Sequence, residues 1–382
     1  MQRIQQLVSH LTPPPSGLAA LERKSPDDVV ITMAIRSPMC KAKKGGFKDT
    51  RTDELMTEMF KKSIAYSKVD PAIVDDISVG VVLASGGLYS ARQAALTAGF
   101  PDTVPIAVVN RFCSSGLMAV TDIANKIRAG QIEVGLAVGV ESMSQNPDAG
   151  APPASEEINT NAAARDASMP MGWTAENVAG DFHVSRERMD EVAALSFQRA
   201  ERAEKTGVFN GEIVPFTAFV RDPKTGEQST KVITKDDGIR YGTTKEGLGK
   251  VRPAFPQWGP SNTTGGNASQ ITDGAAAVML MKRSKAEQLG LNIVGKHVTT
   301  AVVGCPPRIM GVGPLYAIPK VLGMAGLTKE DVDLFEVNEA FASQYVYCID
   351  QLGLDMEKVN VNGGAIALGH PLDEFLSATF SQ

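Results

Sequence analysis

The chain predicts an α/β fold made of two repeated, mainly parallel-sheet halves with a loop domain inserted between them. Three observations carry that expectation. Strand and helix patterns alternate from Val29 onward, the stretch 145–265 interrupts the alternation, and Lys68–Val82 can be laid on Gly326–Ala340. Alternation of this kind implies a sheet whose two faces are covered by helices.

The elements follow in order. "DVVITMAIRSP" reads as a strand, "DTRTDELMTEMFKKSIAYS" as a helix and "DDISVGVVLAS" as a strand. "SARQAALTAG" is a helix, "VPIAVVN" a strand, "SSGLMAVTDIANKIRAG" a helix ending at a glycine, and "VGLAVGVESMS" a strand. From Gln145 to Gly265 the text turns rich in Pro, Gly, Asn and charge around helices such as "SRERMDEVAALSFQRAERAEKTG". Such an excursion shapes a site. In the repeat, Asp75 pairs with Asp333 and Val79 with Val337, and each half then meets a second strand, "VPIAVVN" or "VNVNGG". The divisions expected are 1–28, 29–144 (first half), 145–265 (loop domain) and 266–382 (second half). In sheets wound this way chemistry gathers beyond the carboxyl ends of the strands.

Composition excludes several classes. With 43% hydrophobic and 21% charged residues, the 382-residue chain has ordinary globular composition and enough length for about two domains. A net charge of −5 supplies no basic field for nucleic acid, and no apolar run reaches the roughly 20 residues needed to span a bilayer. Cys40, Cys113, Cys305 and Cys348 lie far apart without a C-x-x-C pair, so neither a zinc site nor a disulfide framework is expected.

Cys113 stands in "NRFCSSGLMAV", between an apolar run and a helix pattern. A small buried filler and a nucleophile both remain open for it. A thiol of ordinary pKa is only about 3% thiolate at neutral pH. A helix start favours the anion, and a nearby histidine lowers the pKa further. Ser115 and Gly116 would let a bulky acyl group approach the backbone.

The company of Cys113 is specific. "NRFCSSG", "GVESMS", "MGWTAENVA", "GGNASQITDGAAAV", "VNEAFA" and "NVNGGAIALGHPL" occur in that order. Together they resemble the thiolase family, from about Val29 to Leu372, and "MPMG" at 169–172 is similar to the peroxisomal 3-ketoacyl-CoA branch. The resemblance implies a layered αβαβα fold and thiolytic cleavage of 3-ketoacyl-CoA in fatty acid β-oxidation by a homodimer. Coenzyme A would be a substrate, and neither a cofactor nor a metal is implied. It makes Cys113 the nucleophile, His370 its base and Asn338 the holder of an oxyanion-stabilising water. Ser269, Ala340 and Phe341 would line the pantetheine channel, Arg240 would lie near the nucleotide, and Met171 would border the acyl pocket.

Two terminal features complete the reading. Arg3-Ile4 and His10-Leu11, with Ile4, Leu7, Val8 and Leu11 on one helical stripe before Pro13–Pro15, resemble an amino-terminal peroxisomal targeting signal. That implies peroxisomal import through a receptor, with the mitochondrion as the other address. After "GHPL" the chain reads "DEFLSATFSQ", where the family carries a C-x-G-x-G loop with a second catalytic cysteine. The expectation is therefore a second half without its last helix and strands. Its alternative function is an impaired variant that binds acyl-CoA or partners a full-length subunit.

Overall fold

A computed structural model describes residues 17–371. The address at residues 3–11 and the tail 372–382 lie outside the described residues.

Nine strands are described: β1 (Val29–Arg36), β2 (Cys40–Lys41), β3 (Asp76–Gly80), β4 (Ile106–Val109), β5 (Val134–Ser142), β6 (Phe216–Arg221), β7 (Gln228–Ile233), β8 (Thr272–Lys282) and β9 (Gly295–Lys296). The main sheet runs β4-β3-β5-β8-β1-β9, with β2 also on β8. Alternate residues of its central strands face opposite helical layers, as the two-residue period requires. On one side α1 (Thr52–Ser67) and α2 (Gly87–Ala98) bring Leu55, Met56, Met59, Phe60, Ala91 and Ala95 onto Val79, Val138 and Met279. On the other, α3 (Ser115–Arg128) lays Ala119, Val120, Ile123 and Ile127 against Ala137, Val278 and Leu280.

The sheet is mixed rather than mainly parallel. β3 runs parallel to β4 and β5, but β8 is antiparallel to both its neighbours, β5 and β1. The excursion after β5 leaves and re-enters at the same end of the sheet, so the returning strand has to run the other way. β8, which follows the boundary expected at 265/266, sits in the middle of this sheet, between β5 and β1.

The excursion holds the β6–β7 hairpin and the helices α4 (Met171–Asp181) and α5 (Arg186–Thr206). Ser185 caps α5, its hydroxyl accepting from the Arg188 N–H at 3.2 Å. α5 packs Met189, Val192, Phe197 and Ala200 into a second core with Val337, Tyr345, Val346, Val359 and Ile366. Those residues come from the second half, with helices α6 (Gly313–Ala325), α7 (Ala342–Leu352) and α8 (Ala365–Leu368). The strands expected after Asp333 and at "VNVNGG" are reduced to one parallel bridge, Phe335 to Val359. Among the described residues no strand fills the place that β5 and β8 fill in the first half.

Candidate active site

Cys113 sits on an elbow between β4 and α3, and the elbow is built by its neighbours. Phe112 has φ 47°, the left-handed region that costs a bulky residue energy and persists only where surroundings over-determine it. Asn110 supplies part of that restraint: its amide donates to Val82 O at 3.1 Å and its oxygen accepts from Phe112 N–H at 3.0 Å. The Ser115 hydroxyl accepts from Arg111 N–H at 2.8 Å and donates to Phe112 O at 2.7 Å. Behind them, the buried Glu141 carboxylate accepts the Val82 and Leu83 N–H groups. A Cβ on Gly80 would lie 2.6 Å from Gly116 N, so the first turn of α3 rests directly on the backbone of β3. Cys113 is half-buried there, just before the helix start.

His370 and Asn338 form the second part. His370 is buried, and Asn338 Nδ2 lies 3.3 Å from its Nε2. Burial pushes the imidazole down to about 4, so it is neutral at physiological pH and able to accept a proton. Asn338 Oδ1 is buried and makes no hydrogen bond among the described residues. An oxygen so placed has an acceptor position left for a hydrogen-bond donor such as water. Gly369, at φ 117°, turns the chain into His370; a Cβ there would come within 2.4 Å of Thr272 Cγ2.

One extended strip joins these pieces. Ala342 N–H donates to Asn267 O, Ala268 bridges to Phe341, and Ser269 N–H donates to Ala340 O at 3.0 Å. Next, His370 N–H donates to Gln270 O at 2.9 Å, and Ile271 bridges to His370. β8 begins at Thr272, and its next residue, Asp273, pairs with Ser142 at the carboxyl end of β5. Gly139 on β5 pairs with Gly80 on β3, and Gly80 with Val109 on β4. His370 and the Cys113 elbow therefore stand on one rim of one sheet, whose strands are about 4.8 Å apart.

Of the residues expected from sequence, Ser269, Ala340 and Phe341 are thus brought together beside His370 and Asn338. Arg240 lies farther out, its guanidinium 5.4 Å over the Phe197 ring and donating to Gly265 O. Met171 opens α4, exposed, two residues before Trp173, whose ring stacks on Trp258 at 5.6 Å. The other cysteines are taken up elsewhere. Cys348 is buried with Val178 and Val312, where desolvation pushes its thiol up to about 12, and Cys305 donates to Met310 O. Burial also raises the Cys40 thiol.

Sequence reasoning passed over Gln270, Glu339, Asn360, Asn110 and Glu141. Gln270 donates to Gly238 O, Ile366 O and Ala367 O, fixing the segment that ends in His370. All five stood inside motifs quoted above, but a polar residue in a motif shows its partners only after folding.

A cysteine elbow and a histidine–asparagine pair on one rim, at the junction of two related halves, make a candidate acyl-transfer site. The chain belongs to the thiolase family: residues 29–284 match the thiolase N-terminal domain and residues 291–375 the thiolase C-terminal domain. It is 50% identical over 375 residues to the peroxisomal 3-ketoacyl-CoA thiolase of Yarrowia lipolytica, covering 97% of this chain and 90% of that protein. It is 48% identical to peroxisomal 3-ketoacyl-CoA thiolase A of Rattus norvegicus, covering 97% and 87%. The dimeric peroxisomal thiolase of Saccharomyces cerevisiae superposes with a TM-score of 0.88 at 45% identity, covering 95% of this chain and 92% of that one. The fold is thus the layered α/β thiolase fold.

Proposed function

We propose that this chain is a peroxisomal 3-ketoacyl-CoA thiolase that releases acetyl-CoA and passes the shortened acyl group to coenzyme A. The observation that carries the reading is the neutral, buried His370 bound to Asn338 on the rim where the Cys113 elbow stands.

The roles follow from the chemistry. His370 takes the Cys113 proton, and the thiolate attacks the 3-keto carbon, whose oxygen becomes the oxyanion. Collapse breaks the bond between carbons 2 and 3. The acyl group stays on Cys113, and the electron pair leaves on the α-carbon of acetyl-CoA, which takes up a proton. The coenzyme A thiol then attacks the acyl-cysteine and restores Cys113. Asn338 Oδ1 would orient the water that stabilises negative charge in these steps. Ser269, Ala340 and Phe341 would border the pantetheine arm, Arg240 the nucleotide and Met171 the acyl chain. The related human mitochondrial 3-ketoacyl-CoA thiolase has been solved with CoA, and the yeast enzyme is dimeric, which supports a CoA-using homodimer. Residues 3–11 would engage the import receptor.

The test is a thiolysis assay with 3-ketoacyl-CoA and coenzyme A, with intact-mass detection of acyl-Cys113. Cys113→Ala should lower the rate by at least about 10⁴-fold and abolish the adduct. An adduct on another cysteine, or a rate untouched by the substitution, would overturn the assignment.

A further inference from the structure

We propose that Glu339 is the positioning residue of this site, its buried carboxylate clasping the segment that carries Asn338 and the segment that carries His370 into one rigid unit. The proposal rests on the reading of that pair as reacting groups.

Glu339 is 2% exposed, yet its carboxylate accepts three hydrogen bonds. Oε1 accepts from Asn360 Nδ2 at 2.9 Å, and Oε2 from the Ser196 hydroxyl at 2.6 Å and the Ile366 N–H at 3.1 Å. Each donor belongs to a different part of the site. Asn360 also brackets Val337, accepting from its N–H and donating to its carbonyl, both at 2.8 Å. Asn338 thus lies between a residue whose backbone polar groups are both tied to Asn360 and Glu339 itself. Ile366 lies in the turn α8, which leads into Gly369 and His370, and Gly364 N–H donates to the Ser196 hydroxyl at 3.1 Å. Ser196 belongs to α5, so the loop domain closes the clasp.

The surroundings are shaped for this carboxylate. A Cβ on Gly364 would lie 2.4 Å from the Glu339 carboxyl carbon, and one on Gly363, at φ 82°, would lie 2.6 Å from Ser196 O. The two glycines of "NGGAIALGHP" let the backbone pass that close. Burial raises the Glu339 carboxyl above its ordinary range, and three donors with Arg199 nearby counter part of that cost. A buried acid merely filling space would not need donors from three separate segments. Holding reacting groups within a fraction of an ångström is what such a clasp supplies, and a displacement of about 1 Å costs about 10²-fold in rate.

Glu339→Gln tests it at constant volume. Asn360 cannot turn over to help, because its oxygen already accepts from Val337 N–H. The new amide therefore faces either Asn360 Nδ2 or Ile366 N–H, donor against donor. Two readouts are taken on the full-length protein: the imidazole NMR titration of His370, assigned by its loss in His370→Asn, and kcat and KM for thiolysis. The expected result is a His370 midpoint rising from about 4 toward the ordinary 6.5, as water reaches the loosened pair. It is accompanied by a kcat lowered about 10²-fold with KM changed less than about threefold. Ser196→Ala, which removes one donor, should move both readouts the same way by less, and it replaces Glu339→Gln if that variant does not fold. An unmoved titration in a folded variant overturns the proposal whatever kcat does, and so does an unchanged kcat with a moved titration. A wild-type protein without thiolysis would sink the functional reading, while the titration would still decide the clasp.

Discussion

The two halves carry the same repeat and reach different ends. Ile77 pairs in parallel with Ile106 in the first, and Phe335, its repeat partner, with Val359 in the second. Around the first pairing a seven-stranded sheet forms, with β5 and β8 between β3 and β1. Around the second the described residues form one bridge. The helices show the consequence. α1 buries Leu55, Met56, Met59 and Phe60 completely, whereas α6, at the same place in the repeat, has no buried residue at all. Tyr316 and Met324 on α6 are 44% and 55% exposed, with Leu334 and Val302 exposed nearby. Helix geometry is satisfied within the segment, so α6 forms regardless, while apolar burial needs strands beneath it. The second half instead takes its core from the loop domain, through α5.

The largest break in this comparison should come from one aligned pair of substitutions. Phe60→Ala empties a fully buried position, edge-on to Phe100 at 5.7 Å, and should cost about 3–5 kcal/mol. Its repeat partner Ile318 is only partly buried, and Ile318→Ala should cost about 1 kcal/mol or less. Urea midpoints of the two variants measure the difference; equal losses would show that α6 is covered in solution.

Next in size is Gly80→Ala, at the position where the first half admits α3 and the second half carries Asn338. The added methyl meets the Gly116 backbone, so we expect about 1–3 kcal/mol of destabilisation and slower alkylation of Cys113 by iodoacetamide. Unchanged alkylation would detach the elbow from β3.

A pH-dependent effect concerns another aligned pair, Ser78 and Glu336, each with a buried side-chain oxygen lacking a hydrogen bond among the described residues. Burial first, then Glu339 and Glu212, pushes the Glu336 carboxyl from 4.5 up to about 8. The folded chain keeps that proton over a range where the unfolded chain releases it. Stability from this group is therefore complete below about 4.5 and declines as pH rises toward 8. Glu336→Gln should flatten that decline, raising Tm at pH 8 relative to wild type and leaving it nearly unchanged at pH 5. A parallel pair of Tm curves would place the proton elsewhere.

The sequence by itself determined what is written locally. Helix and strand periods set the first-half elements within a few residues, as in Val29–Arg36 and Thr52–Ser67. The ordered motifs singled out Cys113, Asn338 and His370, and the repeat register survived folding at Ile77 and Phe335. Tertiary structure alone decided the rest. The direction of β8 depends on which end of the sheet a loop of more than a hundred residues returns to, and no period in β8 encodes that. Glu339, Asn360 and Gln270 look like ordinary polar residues until distant donors meet them. A buried carboxylate acquires its role from the groups that satisfy it, and those arrive from segments 21, 27 and 143 residues away.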